Sequence, residues 1–393
     1  MDGVNKRGHI IRSLEDLRDC LSISEKEYCD LKDIHKIHPF KSTPYYLSLI
    51  NPFDKNDPIR RMVVPAVEEL ADRGLSDTSG ELENTRIRGV QHKYPQTVLF
   101  LLTNSCYAYC RFCFRKRFVG VDESEIMREV KRGVEYVKSQ RQVTSVLLTG
   151  GDALSLETGA LGAIIEKLSA VPHLRILRIG SRVPVVFPQR ISQDRDLLSL
   201  LGSFNGKGRR VIIQTHFNHP RELTNEAENS ISVLLSMGVL VYNQTVLLKG
   251  VNDHPATLAR LLRNLVGAGV LPYYFFQFRP VSRAVHFQVP LVRGYYIIEE
   301  VKRRVSGPAK MFRYVMSHWS GKIEVIGLDK EKIYMKYHQA KLPENRGKFF
   351  ALDRSDSACW IDELVPLEKS SEEGARIFSG HMPLPSFREI RLP

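Results

Sequence analysis

The chain has 393 residues, a formal net charge of +13 and six cysteines. No apolar run reaches the roughly 20 residues needed to span a bilayer, and the first twenty residues are charged throughout, which argues against a secretory signal and predicts a cytoplasmic protein. The basic residues are spread along the chain without a long polybasic block, so nucleic-acid binding is disfavoured as the meaning of the charge.

Residues 1–95 read as a helical lead-in. SLEDLRDCL and PAVEELADRGL carry helical apolar spacing, with Ser13 and Pro65 as start signals. Between them lies a turn-rich, proline-bearing stretch. From residue 96 the pattern changes to short continuous apolar runs, as expected of strands buried on both faces. These runs are TVLFLLT, SVLLT, LRILRIG, RVIIQTHF, VLVYNQTVLL and LPYYFFQF, and segments of helical character separate them. Strand–helix alternation predicts an α/β fold with a parallel sheet over 96–320, in right-handed units. Six units correspond to a partial (β/α)6 barrel. In 321–393, KIEVIGL and KIYMKYH read as a hairpin turning at Asp329-Lys330, followed by a turn-rich tail.

Three of the six cysteines, Cys106, Cys110 and Cys113, fall within eight residues directly after the first strand, in TNSCYAYCRFCFRKRF. Ligand sites in parallel α/β folds lie at the carboxyl ends of strands. Cys20, Cys29 and Cys359 are scattered, which argues for one local metal or redox site and against a disulfide framework. The spacing C-x3-C-x2-C suits an iron–sulfur cluster. A redox pair formed by Cys110 and Cys113 leaves Cys106 unexplained. A structural zinc needs a fourth ligand, which His216 or His219 could supply from a distance. That zinc, combined with the positive charge, gives the rival class: a zinc-stabilised nucleic-acid-binding protein.

CYAYCRFC resembles the signature of the radical S-adenosylmethionine (SAM) superfamily. HKYP, CRFCFRKRFVG, LLTGGDAL, RIGSRVPVVFPQRI, THFNHPRELT, NQTVLLKGVND and PYYFFQ extend the resemblance to the lysine 2,3-aminomutase family over about residues 90–325. The resemblance implies a [4Fe–4S] cluster on Cys106, Cys110 and Cys113, with one iron left open to chelate SAM. It also implies a pyridoxal-phosphate-dependent isomerase that moves an amino group between adjacent carbons. Its expected partners are a small amino acid and an electron donor such as a flavodoxin or ferredoxin; a homo-oligomer is left open.

By position, the resemblance assigns Gly150, Gly151 and Asp152 to the SAM turn, where two glycines would let the backbone approach a ligand. Ser181, Arg182, His216 and Gln244 occupy equivalent strand ends and are expected to bind cofactor. Arg178, inside a strand, is as readily structural. Arg115 matches the arginine that grips the substrate α-carboxylate, a role suited to a planar fork. Lys322, in HWSGKIEV, matches the lysine that forms the Schiff base with pyridoxal phosphate. Lys93 and Tyr94 match a segment near that cofactor's phosphate.

The chain also departs from the family. Thr97 replaces an arginine near the phosphate, and most glycines around Lys322 are absent, which keeps a radical SAM enzyme without pyridoxal phosphate as an alternative. Arg279 stands where lysine-specific members carry an aspartate for the distal ammonium; the second aspartate falls near Met316 or Ser317. A guanidinium repels an ammonium and pairs with a carboxylate, so an acid-tailed amino acid is expected in place of lysine.

Overall fold

A computed structural model describes residues 10–365 except Ser22 and Lys207. The expected C-terminal tail therefore lies largely outside the described residues.

Twelve strands form one sheet in sequence order. They are β1 (Thr85–Ile87), β2 (Val90–Tyr94), β3 (Thr97–Thr103), β4 (Ser145–Gly150), β5 (Ile176–Gly180) and β6 (Arg210–Thr215), then β7 (Leu240–Leu247), β8 (Leu271–Gln277), β9 (Arg313–His318), β10 (Gly321–Leu328), β11 (Lys332–Ala340) and β12 (Phe349–Asp353). Each neighbouring pair from β3 to β9 is parallel, while β1–β3 and β9–β12 are antiparallel. The result is an open, partial barrel with antiparallel wings. The six expected runs are β3–β8, and the predicted hairpin is β10–β11.

Helices Val130–Ser139, Thr158–Ser169, Arg195–Ser203, Asn225–Ser236, Pro255–Gly267 and Leu291–Arg303 fill the crossovers. Their apolar stripes pack on the sheet: Val137, Leu161, Leu197, Ile231, Leu262 and Val301 are almost fully buried against strand residues such as Val98, Leu148, Ile179 and Ile213. Each such side chain contributes roughly 1.5–3 kcal/mol relative to exposure.

Three elements differ from expectation. β9 is a seventh parallel strand, whose sequence RYVMSH is too polar to read as a buried run. β1 and β2 add two strands to the lead-in, which is therefore not wholly helical. PAVEELADRGL forms only a single 3₁₀ turn, Val67–Leu70. There Glu69 is buried against Arg111 and Lys116, and the chain turns at Gly74 with φ +104°. SLEDLRDCL does form the expected helix, Leu14–Cys20 capped by Ser13, and the lead-in adds the helices Glu25–Ile37, Pro44–Leu47 and Pro58–Val63. Leu17, Tyr46 and Met62 join the same core as the barrel strands.

Candidate active site

The cysteine loop leaves β3 at Thr103 and is held by neighbours on both sides. Gly151 N donates to Thr103 O (2.5 Å), and Asp152 N donates to Ser105 O (2.9 Å). From the lead-in, Lys41 O accepts from Tyr109 N and Met62 O accepts from Arg111 N, both at 2.9 Å. A Cβ at Gly151 would lie 2.3 Å from Ser105 O, and one at Gly150, where φ is +125°, would lie 2.3 Å from Thr103 O. A close neighbour that these glycines require is thus the end of β3 and the cysteine loop that follows it.

The loop's cations are tied down by lead-in carboxylates. Arg111 and Lys116 meet Glu69 at 2.6 Å each, and Arg115 and Arg117 meet Glu81 at 2.7 Å each. Burial alone would raise the Glu81 carboxyl, yet its two arginines hold it down at about 2. Arg115 also donates through Nη1 to Thr149 Oγ1 (2.8 Å) and Gly150 O (3.2 Å). With Nε and one Nη2 hydrogen on Glu81, a single N–H is left for any further acceptor.

Cys106, Cys110 and Cys113 open onto one cavity of about 320 Å³, within the range of small-molecule sites. Burial pushes the Cys106 thiol well above its ordinary value and the Cys113 thiol up to about 11. Binding a metal centre to them therefore releases protons. Among the described residues, no group of three or more His, Cys, Asp or Glu is arranged to hold a single ion. His219 caps its own turn by accepting from Arg221 N through Nδ1 and is not among the residues that line the cavity, whereas His216 is.

The strand-end residues line the same cavity: Gly150, Gly151, Asp152, Ser181, Arg182, His216 and Gln244. Asp152 accepts from Arg182 N (2.7 Å) and Leu154 N (3.0 Å), which joins the β4 and β5 turns. Burial raises its carboxyl to about 6 against those donors. His216 is driven down to about 4, by burial first and then by Arg182, while a hydrogen bond to Gln244 opposes the shift. It is a neutral imidazole at pH 7.

Four further basic side chains line the cavity: Lys93, Arg178, Arg279 and Lys322. Among the described residues none has a carboxylate partner within 4 Å. Lys93 donates to His318 O (2.6 Å) and Ser79 O (3.2 Å), and Arg178 donates to Ser145 Oγ (3.0 Å). Arg279 donates to Ser79 Oγ and lies 4.4 Å over the Phe114 ring. Lys322 Nζ donates to Gln339 Oε1 (3.3 Å) and sits 4.8 Å over the Tyr274 ring. Burial lowers Lys322 to about 7, reinforced by Arg178 and Lys93, and lowers Lys93 to about 7 with Arg279 beside it. Arg279, lowered by burial to about 10, stays charged at neutral pH.

The donor set fits the implied groups. Three thiols share one rim, as a three-cysteine cluster requires. These basic groups lack a carboxylate counter-charge, and among the described residues the buried Tyr94 Oη, Gln91 Nε2 and Gln214 Nε2 in the cavity wall have no hydrogen-bond partner. A phosphate and a substrate carboxylate would satisfy such groups. Of the two family aspartate positions left open, Met316 is buried in the core, whereas Ser317 lines the cavity along with Thr97. Glu81, Gln91, Gln214, Ser79 and Gln339 were not singled out from the sequence. They carry no motif, and only the fold brings them to the cavity.

Residues 100–262 match the family described as the radical SAM superfamily. A chain of Aquifex aeolicus, named provisionally as an L-lysine 2,3-aminomutase, is 43% identical over 371 residues, covering 93% of this chain and 99% of that one. The L-lysine 2,3-aminomutase of Fusobacterium nucleatum is 39% identical, covering 76% of this chain and 70% of its own. The glutamate 2,3-aminomutase of Clostridioides difficile is 33% identical, with 76% and 70% covered.

Proposed function

From the premise that this chain belongs to the lysine 2,3-aminomutase family of the radical SAM superfamily, we propose that it moves an amino group between the α and β carbons of an acid-tailed amino acid, using pyridoxal phosphate. It is a radical SAM isomerase of the aminomutase type, and membership implies a [4Fe–4S] cluster and SAM. The zinc-stabilised nucleic-acid-binding alternative gives way to that membership. We further take the protein to be cytoplasmic and to draw electrons from a flavodoxin- or ferredoxin-class donor. Among the described residues, no helix is long and apolar enough to cross a membrane.

The observation that carries the substrate class is Arg279, which lines the cavity as a charged guanidinium with no carboxylate partner within 4 Å among the described residues. Reduced SAM supplies a 5′-deoxyadenosyl radical that removes a substrate hydrogen, and pyridoxal phosphate supplies the conjugated system across which the nitrogen moves. Cys106, Cys110 and Cys113 would hold the cluster, with Gly150, Gly151, Asp152, Ser181, Arg182, His216 and Gln244 around SAM. Lys322 would hold pyridoxal phosphate, since a lysine brought near neutrality by burial presents the free amine that imine formation needs. Lys93, Tyr94 and Arg178 would face its phosphate. Arg115 would orient the α-carboxylate through its one remaining N–H, while Glu81 fixes the fork. Arg279 would take the distal carboxylate.

Borohydride treatment of the holoenzyme tests the cofactor assignment. A pyridoxyl group is expected on the peptide containing Lys322, and Lys322→Ala should lose the cofactor while keeping its iron. Well-folded protein that takes up no pyridoxal phosphate in excess would instead support the radical SAM enzyme without that cofactor, a reading that Thr97 in the cavity wall favours.

A further inference from the structure

Arg182, besides lining the cavity, reaches the cysteine loop. Nη1 donates to Cys110 Sγ at 2.9 Å. Nη2 donates to Glu222 Oε1 (2.5 Å) and Tyr46 Oη (2.7 Å), and Nε donates to His216 O (3.3 Å). Glu222 is fully buried, and its second oxygen accepts from Asn218 N (2.6 Å) and His219 N (2.9 Å). The guanidinium also lies 5.0 Å over Tyr46 and 5.4 Å over Phe112. Its orientation is therefore fixed from the lead-in, the cysteine loop and the loop after β6. Among the described residues, Cys110 is the only one of the three thiols with a side-chain donor.

We propose that Arg182 is a positioning residue for the iron–sulfur centre: anchored by Glu222, its Nη1–H bonds to the Cys110 sulfur and raises the potential at which the cluster accepts its electron. The inference rests on the cluster assignment above and on nothing about the substrate. When a [4Fe–4S]²⁺ cluster takes one electron from a low-potential donor and becomes [4Fe–4S]⁺, negative charge builds on the cysteine sulfurs. A fixed N–H donor stabilises that state more than the oxidised one. Glu222 holds the fork in place and partly offsets its charge.

The test uses anaerobically reconstituted full-length protein without substrate, reduced with dithionite. Arg182→Lys keeps the positive charge, but a single ammonium replaces the fork that spans Glu222 and Cys110. We expect it to hold about four irons per chain, as a [4Fe–4S] cluster should, with a more negative midpoint in an EPR-monitored titration. An exchangeable-proton coupling, seen by ENDOR after transfer to deuterated water, should be present in the wild type and lost in the variant. An unchanged midpoint with the coupling retained would overturn the proposal. If Arg182→Lys fails to load iron, Glu222→Gln decides: it retains Arg182 and removes its counter-charge, so its midpoint should move in the positive direction, and no movement overturns the proposal. A wild type that binds no iron contradicts the cluster assignment itself, an outcome distinct from either of these.

Discussion

Arg279 and Lys322 are separated from the family pattern by opposite kinds of evidence. Lys322 lost most of its glycine neighbours in sequence, yet its amine lies in the cavity over the Tyr274 ring with a lowered pKa. The free amine is the form that condenses with pyridoxal phosphate, so uptake should rise with pH and level off above about 8. Between pH 6 and 8 a group titrating near 7 changes its neutral fraction about tenfold, whereas an ordinary lysine would change about a hundredfold without a plateau. Stopped-flow uptake with no plateau below pH 9 would show that the condensing amine is not brought near neutrality by its surroundings. Arg279 stays charged beside the cavity and meets no carboxylate. A buried ammonium placed against it costs roughly 3–5 kcal/mol, about a hundredfold or more in kcat/KM. Arg279→Asp should therefore lower kcat/KM for an acid-tailed amino acid at least about a hundredfold. An unchanged value would show that Arg279 does not face the substrate.

Among the elements, the parallel strands were legible because burial on both faces removes polar residues from the middle of each run. β9, β1 and β2 were not: RYVMSH and VQHKY keep polar side chains for the cavity and wing. The cysteine loop was legible by spacing, but the groups that hold it were not. Glu81 lies 34 positions before Arg115, and Glu222 lies 40 after Arg182, so no local pattern joins them. The tightest joint between elements is the contact of the β4 turn with the cysteine loop. A methyl at Gly151 would press on Ser105 O at 2.3 Å, a backbone atom that cannot rotate away. Overpacking of this kind costs about 1–3 kcal/mol. Gly151→Ala should fold with a lower Tm and retain less iron after gel filtration, whereas Gly159→Ala, in the helix Thr158–Ser169 with nothing within 4 Å, should keep the wild-type iron content and a Tm no lower than the wild type. Full iron content in Gly151→Ala would mean that the loop has room to shift.

Across the molecule, the lead-in and the barrel share one core, and the lead-in supplies Glu69, Glu81, Lys41 and Ser79 to the cysteine loop and cavity wall. The cavity gathers three thiols and four basic side chains that have no carboxylate partner within 4 Å among the described residues. Nothing in its described wall offers a distal ammonium the paired aspartates of the lysine-specific family members. The relatives named for lysine are more identical overall than the one named for glutamate, so overall identity and the pocket's chemistry point to different substrates. One measurement decides between them. Reconstituted enzyme with pyridoxal phosphate, SAM and dithionite is incubated anaerobically with L-glutamate or L-lysine, and the β-amino acid products are quantified by mass spectrometry. The predicted result is β-glutamate formed over many turnovers, with β-lysine at least about a hundredfold slower; efficient formation of β-lysine would contradict the account.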